Sequence, residues 1–262
     1  LSSSAAFEVS VATLFEAAAG KTIDPMSKAR LCQEAEHQLA GVPCGIMDQA
    51  VSSLARAGHA LLIDCGDETV RAVPLPGEVA IIVTNTGVKH DLADGAYAKR
   101  RAECAAAAHA MGIESLRAAS PASVEAMHGR LDPIVYKRAF HVVSENVRTL
   151  AMAAALMKGD LPTAGSFMYA GHRSLRDDFE VSCRELDTLV DLAQAIGPAG
   201  GVLGARLSGG GFGGSTVTLV EAARAPAIME RLARDYEQRI GTKVTPFVAR
   251  AAAGARVIDA AV

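Results

Sequence analysis

Four stretches of this chain carry residues whose types and spacing could do chemistry. The first is Ser2-Ser3-Ser4, set directly before an apolar-periodic segment, Ala5 to Ala19. The first turn of a helix exposes unpaired N–H groups and carries about half a positive charge, which suits a phosphate. Three hydroxyls add donors, and one could reach a Mg2+ ion. Serine at a helix start is also an ordinary N-cap, and the residues alone leave both roles open. The run is not a Walker A loop: the one G-K-T, Gly20-Lys21-Thr22, lies beyond the helix and has Phe15 where the first glycine of G-x-x-x-x-G-K-[ST] would stand.

The second stretch is Leu207-Ser208-Gly209-Gly210-Gly211-Phe212-Gly213-Gly214-Ser215. Its glycines permit positive φ and let backbone approach a ligand closely, although a turn leading into a strand would use them equally well. The third is Gly45-Ile46-Met47-Asp48-Gln49, in which Asp48 interrupts a largely apolar run just after a Gly-Pro turn. A carboxylate there serves either as a charge at a helix N-terminus or as a general base. The fourth is Lys89-His90-Asp91-Leu92, leading to Tyr97 and Lys99-Arg100-Arg101, where basic residues near a helix start also suit a solvated face. Glu36 and His37 are further candidates; as sequence neighbours on a helix they cannot both point at one site.

These residues need elements to hold them. Helices are expected over 5–19, closed by Gly20, then 27–39, with Pro25 before and Gly41 after, and 46–57. The texture changes at Ala60. The runs 60–65 and 79–84 are short, β-branched and flanked by Gly and Pro, which is strand grammar. Pro74, Pro76 and Gly77 between them mark a domain boundary, giving domains at 1–77 and 78–262. Long helices follow at 97–111, 134–157, 161–179 and 183–196. Strands are expected at 215–220 and 245–249, with a helix at 225–240 between them. Strands and helices mix without regular alternation or repeat, so the class is α+β rather than a doubly wound parallel sheet.

Composition narrows the partners. Lys+Arg 26 against Asp+Glu 29 gives a net charge of -3, with no electrostatic case for nucleic acid or an anionic membrane surface. No run reaches the length of a membrane span, and the first residues do not read as a signal peptide, since no basic stretch precedes an apolar one. Cys32, Cys44, Cys65, Cys104 and Cys183 are odd in number, scattered and never C-x-x-C, which fits reduced thiols in a cytoplasmic protein.

Taken in order, the motifs resemble those of the galactokinase family. The order is L-S-S-S-A, then A-E-H-x-x-A-G-x-P-C-G-I-M-D-Q, then H-A-L-L-I-D-C, then T-N-x-x-V-K-H-x-L-x-x-x-x-Y-x-x-R-R-x-x-C. His172 to Cys183 (H-R-S-L-R-D-D-F-E-V-S-C) and S-G-G-G-F-G-G-S-T-V-T-L complete the series. The likeness extends over essentially the whole chain and is to galactokinases of animal type. That family belongs to a superfamily with the homoserine, mevalonate and phosphomevalonate kinases. The signatures around Asp48 and Leu175 separate it from those relatives; the glycine motifs do not.

The resemblance implies a two-domain GHMP kinase-like fold. An incomplete N-terminal domain, ribosomal S5 domain 2-like, is followed by a ferredoxin-like α+β domain. It implies ATP-dependent phosphorylation of the anomeric hydroxyl of galactose in galactose catabolism, the Leloir pathway, with ATP and Mg2+, by a monomer. By the same resemblance Ser2, Ser3 and Ser4 bind phosphate, Ser3 and Glu36 hold the metal, and Asp48 is the catalytic aspartate. Gly45 and Tyr97 contact sugar, and Gly209, Gly210, Gly211, Gly213 and Gly214 support the nucleotide from the second domain. Ser208 and Ser215 stand where relatives often carry Thr and Cys. The chain opens at Leu1 without methionine, which reads as a lost N-terminus. In the family that region holds an Arg-Glu-His-Asp sugar motif and the adenine pocket, so this piece alone is expected to bind galactose poorly. An N-acetylgalactosamine kinase and a non-catalytic galactose and ATP sensor are the alternatives.

Overall fold

Gly20 and Pro25 punctuate the first two helices as their chemistry requires. Helix α1, Ser3–Ala19, ends on Gly20 in the left-handed region, and α2, Pro25–Ala35, starts with proline at its first position under an Asp24 cap that accepts from the Ser27 N–H at 2.9 Å. The computed structural model describes residues 2–41, 44–89 and 93–258. The expected single helix 27–39 is thus two pieces, because the chain widens into a π-helical turn, Glu36–Ala40, closed by left-handed Gly41. Helix α3, Met47–Leu54, follows, and then an antiparallel hairpin of β1, His59–Ile63, and β2, Val70–Pro74. Lys28, only 7% exposed, is paired with Glu16 and donates to Thr13 Oγ1 at 3.2 Å, fastening α2 to α1. Ala29, Ile46 and Ala50 bury together between α2 and α3.

The chain divides into two compact units, Leu1–Leu75 with Arg250–Val262, and Pro76–Ala249. The first unit therefore recovers a C-terminal segment that the sequence reading assigned to the second domain. The Gly254 and Ala255 N–H groups donate to Ala55 and Ser52 carbonyls, and Gly58 donates to Ala251. A Cβ on Gly254 would lie 2.6 Å from the Ser53 carbonyl oxygen, so the close approach requires glycine.

The second unit is built on a four-stranded sheet of order β4-β5-β3-β6, antiparallel throughout. Its strands are β3, Val79–Lys89, β4, Val202–Ser208, β5, Gly213–Glu221, and β6, Phe247–Ala249. Helices α4, Ala93–Ala110, α5, Pro121–Glu125, α6, Pro133–Met157, α7, Leu161–Asp177, and α8, Arg184–Ile196, lie between β3 and β4; α9, Ala225–Ile240, lies between β5 and β6. Sheet order and crossovers are those of the ferredoxin-like βαββαβ motif, with an enlarged first crossover. Ile82, Val202, Ala205 and Val220 of the sheet pack with Leu189 and Ala193 of α8 and Leu232 and Tyr236 of α9.

One buried group makes this unit sensitive to acid. His141 on α6 stacks on Phe179 at 4.4 Å and lies 3.0 Å from Ser174 Oγ, whose hydroxyl donates to Asp178 Oδ2. Burial, partly offset by Glu145, lowers its pKa from 6.5 to about 4. A histidine depressed in the fold takes up its proton more readily when unfolded, so stability falls as pH drops through 6.5 toward 4. By that linkage about 2 kcal/mol is lost between pH 7 and pH 5. Thermal unfolding across this range should show the loss, and His141→Asn should flatten the dependence.

Candidate functional site

The tip of α1 is not closed by a serine cap. Ser2 occupies the N-cap position with φ 50° and ψ 44°, in the left-handed region, and its side chain makes no capping hydrogen bond. The first helical bond runs from the Ala6 N–H to the Ser2 carbonyl at 3.1 Å. The N–H groups of Ser3, Ser4 and Ala5 precede it and have no partner within the helix. Ser2, Ser3 and Ser4 are exposed. A non-glycine residue at positive φ is uncommon, and such strain collects where backbone must meet a ligand. Of the two roles left open for the serine run, the local geometry favours an anion-receiving tip over ordinary capping.

Glu36, at the start of the π turn, comes to this tip. Its Oε1 accepts from Ser4 Oγ at 2.8 Å, while its Oε2 accepts from Gln49 Nε2 at 2.7 Å and lies 3.4 Å from Cys44 Sγ. Single-turn π bulges inside helices are frequent at functional sites. The metal role was expected of Ser3, yet Ser4 is the serine joined to Glu36, because Ser3 sits one position earlier and faces about 100° away around the helix. Serine hydroxyl and carboxylate are hard oxygen donors, so the pair suits Mg2+. Among the described residues no group of three or more His, Cys, Asp or Glu forms a metal cluster. A cation here would take its remaining ligands from phosphate oxygens and water, which is how Mg2+ is commonly held.

Asp48 lies in the first turn of α3 and is partly exposed. No hydrogen bond or ion pair engages its carboxylate among the described residues, so it is open to accept one. Its neighbour Gln49 is bonded to Glu36, and Glu36 to Ser4, so two side-chain hydrogen bonds join the start of α3 to the tip of α1. His37 turns from this cluster: its Nε2 lies 2.8 Å from the Cys44 carbonyl. Gly45 is exposed, and a Cβ there would meet nothing within 4 Å.

The glycine-rich stretch is the tight turn joining β4 to β5 in the second unit. Gly209, Gly211, Phe212, Gly213 and Gly214 all have positive φ, and Gly210 lies among them. Gly211 is packed against the chain after α7: a Cβ would lie 2.1 Å from the Val181 carbonyl oxygen, and the Phe212 N–H donates to that oxygen at 2.7 Å. Below the turn, the Leu207 N–H donates to His172 Nδ1 at 3.3 Å. That nitrogen must then be the acceptor, which leaves the ring proton on Nε2, 3.1 Å from Asp187 Oδ1. Burial pushes the Asp187 carboxyl up, but hydrogen bonds from His172 and Ser182 outweigh it and hold its pKa below the ordinary range. The distinctive run from His172 to Cys183 thus holds the glycine turn in shape.

Tyr97 falls on α4, but its side chain lies outside the described residues, as do His90, Asp91 and Leu92. The sequence reading missed Gln49 and Glu8. Gln49 Nε2 also donates to Glu8 Oε2 at 3.3 Å. Glu8 stands four residues after Ser4 on α1, so helical spacing alone could have marked it as facing the same way.

The family model described as GHMP kinases N terminal domain matches residues 1–56, and the one described as GHMP kinases C terminal matches 152–238. The chain therefore carries the N- and C-terminal domains that mark the GHMP kinases. Human galactokinase is 45% identical over 259 residues, covering 98% of this chain and 64% of that protein. The galactokinase of Chloroflexus aurantiacus is 48% identical over 266 residues, covering 99% and 67%. Among solved structures, Lactococcus lactis galactokinase complexed with galactose superimposes with a TM-score of 0.90 at 32% identity, over 96% of this chain and 66% of that one. L. major mevalonate kinase, at 21% identity and a TM-score of 0.63, shares the fold alone. This chain belongs to the galactokinase family of GHMP kinases. It spans 64% of the length of the human relative. Among the described residues no helix is long and apolar enough to cross a membrane.

Proposed function

We propose that the intact protein is a galactokinase, transferring the γ-phosphoryl group of ATP to the anomeric hydroxyl of galactose. One observation carries this reading: the chain of hydrogen bonds from Ser4 through Glu36 to Gln49, which sets a hard-oxygen pair at an open helix tip one residue from an unengaged Asp48. The galactokinase relatives supply the substrate class, and the Lactococcus structure was solved with galactose.

In this reading the N–H groups and hydroxyls of Ser2, Ser3 and Ser4 receive the ATP phosphates, and Glu36 with Ser4 holds Mg2+. The ion, when bound, neutralises phosphate charge. Phosphoryl transfer passes through a loose transition state, so the protein mainly positions reactants and stabilises charge. Asp48 accepts a hydrogen bond from the sugar hydroxyl and orients it. A carboxylate is far too weak a base to ionise a sugar hydroxyl beforehand, so the proton reaches Asp48 late, as phosphorus–oxygen bonding advances. Gly45 and Tyr97 contact the sugar, and the turn Gly209 to Gly214 supports the nucleotide. Residues 1–77 belong to the nucleotide- and sugar-binding domain.

The test is a phosphorylation assay of the intact protein with Mg2+ and ATP across galactose, N-acetylgalactosamine and homoserine. Galactose 1-phosphate as the main product is expected. Preference for either other acceptor, or galactose binding without turnover, would overturn the proposal.

A further inference from the structure

We infer that Gln49 is a positioning residue: its buried amide fixes the Glu36 carboxylate at the tip of α1 and ties it to the helix that carries Asp48. The inference rests on the reading of Glu36 as a metal ligand given above. Gln49 is only 1% exposed. Its Nε2 lies 2.7 Å from Glu36 Oε2 and 3.3 Å from Glu8 Oε2, with Cys44 Sγ farther off at 3.7 Å, so its two N–H donors face two carboxylates arriving from different elements. Its Oε1 is buried and takes no hydrogen bond among the described residues. A buried amide with an unsatisfied acceptor is a costly way to fill apolar space, and a methionine of similar volume would fill it more cheaply. What methionine could not do is donate.

Charge explains why an amide stands there and not a base. Lysine or arginine at 49 would also bind both carboxylates, but would neutralise Glu36 and compete with any cation for it. A neutral double donor holds the carboxylate still and leaves its full negative charge for a cation. The division of labour within Glu36 fits: Oε2 is taken by Gln49, while Oε1 meets the Ser4 hydroxyl at the helix tip. Because Gln49 follows Asp48 directly in α3, its bond to Glu8 fixes that helix against α1.

Metal binding can be read without turnover, by titrating the intact protein with Mn2+ in the presence of a non-hydrolysable ATP analogue and following free Mn2+ by electron paramagnetic resonance. Gln49→Met should raise the half-saturating Mn2+ concentration about tenfold, as loss of a hydrogen bond behind a metal ligand commonly does. Gln49→Asn, which keeps an amide but withdraws it by one methylene, should shift binding in the same direction. In a Glu36→Gln background, adding Gln49→Met should change Mn2+ binding less than about twofold, because its effect passes through Glu36. Unchanged binding in both Gln49 variants, an additive effect in the double variant, or failure of both variants to fold would each overturn the inference. If Glu36→Gln alone leaves Mn2+ binding intact, the metal reading of Glu36 fails instead.

Discussion

Replacing Asp48 with asparagine in the intact protein should leave ATP-analogue binding within a few-fold of normal and cut turnover at least about a hundredfold. The expectation follows from where the residue sits. Asp48 belongs to the first turn of α3, is partly exposed, and has no hydrogen bond or ion pair among the described residues that its loss would break. Asparagine keeps the shape and remains compatible with the first turn of a helix. The tip of α1 and the Ser4–Glu36 bond do not depend on it. What asparagine lacks is a basic oxygen to take the proton of an attacking hydroxyl. The loss should therefore appear in kcat, with the galactose KM changing much less. Near-normal turnover in Asp48→Asn would remove the residue from the base role.

The largest effect on stability is expected at Arg138. This residue of α6 is 1% exposed, with its guanidinium against Glu103 Oε2 at 2.9 Å, Glu180 Oε2 at 2.7 Å and the Asp178 carbonyl. Arg100 joins the same cluster, donating to the Phe179 carbonyl at 2.6 Å and to Glu103 at 2.9 Å. Burial pushes the Glu103 carboxyl up, yet the Arg138 hydrogen bond and the Arg100 charge outweigh it and hold its pKa below the ordinary range. Removing one partner of a buried pair leaves the other charge uncompensated, which typically costs 3–5 kcal/mol. Arg100 still faces Glu103, and Glu180 is nearly half exposed, so Arg138→Met should cost about 3 kcal/mol, near the lower end of that range. Denaturant unfolding would measure it. The segment anchored here, Asp178 to Glu180, leads into Val181, which packs against Gly211, so the same substitution should also loosen the glycine turn. A change below about 0.5 kcal/mol would show that the cluster behaves as a surface network.

The limits of sequence reading show in particular residues. Helix α1 was legible from the serines before and Gly20 after its apolar-periodic run, and α6 and α9 from apolar periodicity with proline in the first turn. Asp48 stood out because a carboxylate inside an apolar run is unusual, and the serine run because hydroxyls before a periodic segment mark a helix start. Strand β4 was hidden by its own glycine. Gly204 lies against Gly165 of α7, and a Cβ on Gly165 would come within 1.9 Å of the Leu203 carbonyl oxygen, so the glycines serve close helix–sheet packing and not a loop. Strand β2 escaped because Val70–Pro74 is short and, among the described residues, pairs with β1 alone.

At the site, residue types were readable but partners were not. Ser4, Glu36 and Gln49 meet across separations of 32 and 13 residues, and no local pattern distinguishes Ser4 from Ser3 as the one that reaches Glu36. The left-handed Ser2 was equally invisible, since serine at an N-cap ordinarily predicts an extended backbone and a closed cap. Only the folded chain shows which of the three hydroxyls meets the carboxylate.

The most direct measurement is a crystal structure of the intact protein with galactose, Mg2+ and a non-hydrolysable ATP analogue. The account predicts a magnesium ion touching Glu36 and a serine hydroxyl at the tip of α1, with the Asp48 carboxylate within hydrogen-bonding distance of the anomeric hydroxyl. A metal bound away from Glu36, or a sugar whose anomeric oxygen is out of reach of Asp48, would contradict it.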